Sequence, residues 1–266
     1  MPEGHTLHRR ARDHARWFGG QTVHLSSPQG RFSDGASALD RCVLRDAQAV
    51  GKHLLYAFDE GFIHIHLGLF GKFRIHRNPA PEPRGAIRLR MQGDERTLDL
   101  SGPTACELYT DEHVAKLRQR LGPDPLDRVE PADARRARFH ALLKRRRKEI
   151  GAVLLDQAVV AGIGNVYRAE ILFRAGISPY RRATAISEAE ADALWDDMVE
   201  MLELGVKYDR IITIRAEHAR TAPSKLKRGE RHYVYKRKSC RVCGSDIVWS
   251  ELGNRKMYHC PVCQPA

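Results

Sequence analysis

Four of the six cysteines sit close to the C-terminus as Cys240, Cys243, Cys260 and Cys263, two CxxC pairs separated by sixteen residues. Each pair makes a tight knuckle, and two facing knuckles bring four sulfurs to one point at tetrahedral geometry, the arrangement of a four-thiolate zinc site. A redox pair or a coincidental cluster of thiols is the competing reading, while disulfides belong to an oxidising compartment. Four thiolates leave no open coordination position, so a single zinc ion held here is structural. The end of the chain must therefore fold back on itself around a metal, as an appendage to whatever precedes it. Cys42 and Cys106 lie far from this cluster in mixed apolar segments, where a cysteine behaves as a small buried hydrophobe.

What precedes the appendage is too long for one ordinary domain, and 266 residues suggest two packed units beside it. No apolar run approaches the roughly 18–20 residues that a membrane span requires. The N-terminal MPEGHTLHRRARDH is charged from its start, unlike a secretory signal, so a cytoplasmic protein without membrane attachment is expected. Lysine and arginine number 45 against 33 acids, a formal net charge of +12. That excess suits a polyanion such as DNA or RNA, although a basic surface with no dedicated partner explains it equally well.

Along the chain, Leu7, Ala11, Ala15 and Phe18 share one face of a first helix that stops at Gly19 and Gly20. From 21 to 110 the segments QTVHLSS, HLLYAF, FIHIHLGLF, AIRLRM and RTLDLS read as strands, and the Pro-rich 78–85 is a loop inside this β unit. After Tyr109 the pattern turns helical, and the three prolines of LGPDPLDRVEP, 121–131, mark the boundary of a second, helical unit. Within it Phe139, Leu142, Leu143, Ile150, Val153 and Leu154 fit helical faces, while KRRRK, 144–148, is either a solvated face or a phosphate contact. LLDQAVVAGIGNVYRAEILFRAG reads as a helix end, a short turn, and a new helix opened by Gly162 and Gly164 and stopped at Gly176. Free N–H groups and glycines at a helix start favour a phosphate, and Asn165 there would add a contact or, more simply, cap the helix.

Taken together and in order, several segments resemble the formamidopyrimidine-DNA glycosylase and endonuclease VIII family of base-excision enzymes. They are Met1-Pro2-Glu3-Gly4, GKHLLY with Lys52, HLGLFG, LGPDPL, LLDQAVVAGIGNVYRAE, and CRVCG with NRKMYHCPVCQ. The resemblance implies a multidomain α+β fold: an N-terminal β-sandwich with a leading helix over 1–120, a helix-two-turns-helix domain over 121–235, and a zinc-bound β-hairpin over 236–266. It also implies a monomer that holds damaged DNA between the first two domains.

The residues allow the chemistry that the resemblance assigns. Removal of Met1 leaves Pro2 with a secondary α-amine; at an α-amine pKa of about 7.8, about a seventh is free base at neutral pH, far more than for a lysine. Attack on a sugar C1′ gives an iminium that acidifies C2′–H and drives β-elimination, then δ-elimination. A proline at position 2 is otherwise an ordinary first residue of a helix. Glu3 suits a helix N-terminus on dipole grounds alone; the resemblance makes it the general acid and base. Lys52 would be a surface charge, or by resemblance the residue that grips a phosphate beside the lesion. Leu69 aligns with a wedge that fills the space of an extruded nucleotide, with Phe70 assisting, and the flanking Gly68 and Gly71 favour an exposed turn over a strand core for at least one of them. Arg255 resembles the arginine of the family's finger that contacts phosphate.

Two departures bear on substrate. SGPTACELYT, 101–110, stands where the oxidised-purine branch carries an Arg-Phe wedge loop, and 206–235 lacks the GGT-type loop of that branch. Oxidised pyrimidines, in duplex, single-stranded or bubble DNA, are the expected substrates. The same chemistry on oxidised purines is one alternative; a non-catalytic damage sensor or transcription factor is another, disfavoured by Pro2, Glu3 and Lys52 standing together.

Overall fold

The computed structural model describes residues 2–265; Met1 and Ala266 lie outside the described residues. The chain divides into two compact units, Met1–Gln119 and Arg120–Ala266.

The first unit opens with α1 (Gly4–Phe18), whose buried face is Leu7, Ala11 and Phe18, joined by the polar His5 at its start and by two further polar residues, Asp13 and His14. Burial of these two is compensated locally: Asp13 accepts from Arg9 Nε at 2.6 Å, and His14 Nδ1 meets Tyr56 Oη at 2.7 Å. After β1 (His24–Ser26) and the short α2 (Ser33–Leu39) come β2 (Asp46–Val50), β3 (His53–Phe58), β4 (Gly61–His66), β5 (Lys72–Arg77), β6 (Ile87–Gln92), β7 (Arg96–Ser101) and β8 (Ala105–Tyr109). They form two four-stranded sheets, ordered β1-β6-β7-β5 and β2-β3-β4-β8, with antiparallel pairings throughout. Alternation sends Leu89, Met91, Leu98 and Leu100 from one sheet and Leu54, Tyr56, Ile63 and Ile65 from the other into a single core with α1. The Pro-rich 78–85 is indeed a loop between β5 and β6. Cys106 is buried in this core, its thiol pushed up to about 12 by burial, whereas Cys42 is only half-buried. Helix α3 (Asp111–Arg120) closes the unit, with Arg118 donating to the Gln48 side chain of β2 at 3.1 Å.

The second unit begins with the Pro-rich segment itself. Residues 121–125 are buried, not solvated: Gly122 N–H donates to Gln157 O at 2.8 Å, and a Cβ on Gly122 would lie 2.4 Å from the Val159 carbonyl carbon, so only glycine fits this approach. Helices α4 (Ala132–Lys144), α5 (Ile150–Val153), α6 (Asn165–Arg174) and α7 (Glu188–Tyr208) follow, then irregular chain with short 3-10 turns and a hairpin of β9 (Val248–Glu251) and β10 (Lys256–His259). α7 starts with a full capping box, Ser187 and Glu190 each accepting the other's backbone N–H. The helical core gathers Phe139, Leu143, Ile150, Val153 and Leu154 as their periodicity predicts, with Leu142 at its margin. Of the basic run only Lys144 is helical, pairing with Glu188 at 2.5 Å; the remaining four residues lie beyond the end of α4.

Candidate active site and metal centre

At the N-terminus Pro2 precedes α1 and is half-buried, while Glu3 is the N-cap, with φ −121° and ψ 179°. Pro2 is therefore not a helical residue, which removes the first-turn explanation for a proline at this position. Glu3 makes no side-chain capping bond and is fully buried, so an exposed carboxylate soothing a helix dipole does not describe it either. The removal of Met1 concerns a residue outside the described ones. His5 is buried next to these two, and burial first, then surrounding cations including Arg10, lowers its pKa to about 3. It is a neutral imidazole throughout the physiological range.

α1 packs on β2 and β3, the hairpin whose turn carries Lys52. Val50 and His53 close that turn as register partners, with Gly51 at the first central position at φ +58°, the glycine position of a II′ hairpin turn. Lys52 is half-buried there. Between β4 and β5 the chain makes a second turn, closed by Gly71 N–H to Leu67 O at 2.9 Å with Gly68 at φ +63°. Leu69 is 50% exposed and Phe70 83%, so neither is a strand-core residue.

The outer face of the β2-β3-β4-β8 sheet carries a polar chain that sequence reading missed. His64 is buried, with Nδ1 at 3.3 Å from Glu107 Oε2 and Nε2 at 2.9 Å from Nδ1 of His53, the residue after Lys52. Tyr109 stacks on His64 at 4.3 Å. When Glu107 accepts from His64, His64 must accept from His53, so one tautomer runs through the chain and ties the Lys52 turn to β4 and β8. The alternation FIHIH in β4 put two histidines on one face; the register setting His64 opposite Glu107 was not visible in it.

In the second unit the two turns before α6 are held by Gln157, whose amide donates to the Leu155 and Ile163 carbonyls and accepts from Gly162 N–H. The N-cap of α6 is Gly164, not Asn165. The capping reading of Asn165 therefore fails: it is the first helical residue, and its Nδ2 donates to Lys256 O on the hairpin at 3.0 Å. One turn on, Arg168 is fully buried and donates to Gly151 O at 2.8 Å, Leu252 O at 2.9 Å and Arg255 O at 3.1 Å. Leu252 N–H also donates to Arg255 O, and Gly253 and Asn254 both have positive φ, which makes the tip a I′ turn. Arg255 itself is exposed at this tip. Glu170 is the anionic counterpart of Arg168, fully buried, its oxygens accepting the backbone N–H groups of Tyr233, Val234 and Tyr235 and the Thr213 hydroxyl at 2.5–2.9 Å. Neither Arg168 nor Glu170 was singled out by sequence, because a helix buried on every side gives charged residues no periodic signature.

The four cysteines converge. Their sulfurs all lie within 4.8 Å of one another, with Cys240 to Cys263 at 3.8 Å and Cys243 to Cys260 at 3.5 Å. A tetrahedron of zinc–sulfur bonds of about 2.3 Å has edges of about 3.8 Å, so the set fits that ion. Val242 N–H and Cys263 N–H donate to the Cys240 and Cys260 sulfurs at 3.4 Å, the bonds that stabilise thiolates in a knuckle. Gln264 secures the end of the hairpin by accepting from Cys260 N–H and donating to Ile177 O. These four residues could hold a metal such as zinc.

A β-sandwich led by a helix, a helix-two-turns-helix unit and a four-cysteine hairpin together define the architecture of a class of base-excision DNA glycosylases. Residues 1–105 match the formamidopyrimidine-DNA glycosylase N-terminal domain, and residues 121–216 match the H2TH domain of the same enzymes. Endonuclease 8 1 of Mycobacterium tuberculosis is 48% identical over 271 residues, spanning 99% of this chain and all of the relative; the formamidopyrimidine-DNA glycosylase of Methylococcus capsulatus is 36% identical over 83% of this chain and 82% of its own length. The Lactococcus lactis Fpg, solved with DNA containing N7-benzyl-Fapy-dG, superposes with a TM-score of 0.80 at 25% identity over the whole of both chains. The chain belongs to the formamidopyrimidine-DNA glycosylase and endonuclease VIII family, DNA glycosylases of base excision repair with abasic-site lyase activity. No helix among the described residues is long and apolar enough to cross a membrane.

Proposed function

We propose that this chain excises oxidised pyrimidines from DNA and then cleaves the abasic site, using Pro2 as nucleophile once Met1 is removed. Pro2 nitrogen attacks C1′, the glycosidic bond breaks with its electron pair leaving on the base, and Glu3 protonates the sugar oxygen as the ring opens. The iminium then accepts the electrons of the C2′–H bond; that proton goes to Glu3, the 3′ phosphate departs, and δ-elimination of the 5′ phosphate follows. Lys52 grips a phosphate at the lesion, Leu69 and Phe70 fill the vacated stack, and Asn165 and Arg255 hold the flanking backbone. A zinc ion on Cys240, Cys243, Cys260 and Cys263 supplies order and no chemistry. In this reading the working parts are 1–120, 121–235 and 236–266, acting as a monomer on damaged DNA in the cytoplasm.

The observation that carries the catalytic part is the N-terminus itself: a proline outside the helix followed directly by a fully buried carboxylate. The pyrimidine preference is supported by the β7–β8 connection. Only residues 102–104 join the two strands, and Thr104 N–H is held by His66 O at 2.9 Å, which leaves no length for an Arg-Phe wedge loop. Borohydride trapping on abasic-site duplex, with mass mapping of the adduct, tests the chemistry: the adduct belongs on Pro2, and an adduct on Lys52 with Pro2 free refutes it. Single-turnover excision of thymine glycol against 8-oxoguanine paired with cytosine tests the substrate, and faster release of 8-oxoguanine refutes the pyrimidine assignment.

A further inference from the structure

The outward face of the C-terminal hairpin is aromatic and cationic, and none of the catalytic steps uses it. Register pairs Trp249 with Tyr258 and Glu251 with Lys256, so these four side chains share one face, while Met257 and His259 are buried on the other. Trp249 is 57% exposed on a strand of only four residues. An indole left this open forgoes one of the largest apolar burials available to any side chain. Lys256 ignores its register partner: it makes no ion pair with Glu251 among the described residues, and its Nζ lies 3.9 Å from the centroid of the Trp249 ring. The indole thus carries a cation over its ring while more than half of the residue stays exposed.

The strip continues beyond the hairpin. Tyr235 meets Tyr258 edge to face at 5.2 Å, and Lys236 Nζ lies 5.7 Å from the Tyr235 ring centroid. Lys236 has φ +55°, a left-handed backbone conformation that costs a lysine energy and a glycine none, so its side chain is kept at a local cost. Exposed Lys238 and Arg255 extend the positive charge, with Glu251 on the hairpin and Asp246 beside Ser239 as the neighbouring acids. Rings spaced for stacking and interleaved with cations match a single-stranded nucleic acid, whose bases offer free π faces and whose phosphates repeat at each step. A duplex hides those faces, and a protein partner would not call for the cation excess.

We infer that this face is a nucleobase-stacking site for single-stranded DNA, with Trp249 and Tyr258 as ring platforms and Lys256 and Lys236 as phosphate partners. The inference rests on the reading of the chain as a DNA enzyme and adds a site to it. The test is a titration of the metal-loaded full chain with a short oligothymidylate and, separately, an undamaged duplex, followed by anisotropy and tryptophan emission. Trp195 is buried and Trp17 sits between Arg16 and Arg96, so Trp249 is the indole that a base should quench. Trp249→Phe should abolish most of the quenching and keep oligothymidylate affinity within about twofold, since a ring remains. Trp249→Ala should weaken oligothymidylate at least about fivefold and leave the duplex within about twofold. Parent-like affinity in Trp249→Ala, equal losses on both DNAs, or undiminished quenching in Trp249→Phe overturns the site; metal content and a circular-dichroism melt establish that the variants fold. A parent that traps abasic duplex but shows no Trp249-dependent oligothymidylate binding refutes this inference alone, and one that binds neither DNA refutes the reading beneath it as well.

Discussion

The buried guanidinium of Arg168 offers the sharpest test of how the second unit presents Arg255. Arg168→Met keeps the apolar stem and removes donors to three carbonyls. Arg255 O retains Leu252 N–H at 3.0 Å, so the orphaned acceptors are Gly151 O and Leu252 O. At about 1–3 kcal/mol for each unsatisfied group the loss is about 2–6 kcal/mol. Several kcal/mol return because no charge is buried any longer. The global deficit should therefore be only about 1–2 kcal/mol, a fall in Tm of about 2–8 °C for a chain of this size. The tip at 252–255, in contrast, loses both of its Arg168 bonds, leaving Asn165 to Lys256 O as the remaining side-chain tie from α6 to the hairpin. Leu252 N–H reports that directly: its hydrogen exchange should accelerate at least about tenfold, the equivalent of about 1.4 kcal/mol, while amides in α7 change only with the global term. Damaged-DNA affinity should drop in parallel, with metal still bound. Unchanged exchange at Leu252 in a folded variant would show that the Asn165 bond and the cysteine knuckles hold the tip without Arg168.

Other expectations follow from the same geometry. Glu3→Gln should lower base excision by about 10²-fold or more while leaving affinity for lesion DNA intact, and normal single-turnover excision would reduce Glu3 to an end-of-helix residue. Arg255→Ala should weaken binding and make its log–log salt dependence shallower by about one unit with the metal retained; Cys260→Ser should lose the metal and match or exceed that defect, and full activity of metal-free protein would contradict a structural ion. Stability should be greatest above pH 6.5 and fall as the medium is acidified toward pH 3. His5 and His14 both have folded pKa values lowered to about 3, by burial in the first place; the unfolded chain takes up their protons below 6.5 and the fold does not. Each contributes a slope of about 1.4 kcal/mol per pH unit across that window. His14→Phe should flatten the profile by one such slope in urea melts between pH 6 and pH 4, and an unaltered slope would mean that His14 is already protonated in the fold.

The elements that sequence made legible are those with a clean period. Helix α1 and the strands β3, β6 and β7 announce themselves because one face of each feeds a core. The CxxC spacing predicted the sulfur cluster because local knuckle geometry is fixed by four residues at a time. Less visible was α2, seven residues of SDGASAL with little apolar content, and so was the burial of 121–125, where the prolines signalled a boundary although the segment packs as core. The candidate site divides in the same manner. Motif order nominated Pro2, Glu3, Lys52 and the cysteines, but His53, His64 and Glu107 are joined only by strand register, and Arg168 and Glu170 only by tertiary contact.

Those last two residues explain how the irregular part of the second unit is held at all. Helices and sheets satisfy their own backbone groups; the tip at 252–255 and the stretch 233–235 cannot, and what is buried there must find partners elsewhere. α6 supplies them from one buried segment with the sign of each group matched to its task. Asn165 and Arg168 donate to carbonyls of the hairpin, and Glu170 accepts amides of the preceding stretch. A donor cannot take an N–H, nor a carboxylate a C=O, so exchanging Arg168 and Glu170 would leave both segments with unsatisfied groups although helix, composition and net charge stayed the same. The segments that carry Arg255, Tyr235 and the aromatic strip are thus positioned by the polarity of buried side chains on one helix, in addition to the four-cysteine cluster that closes the hairpin.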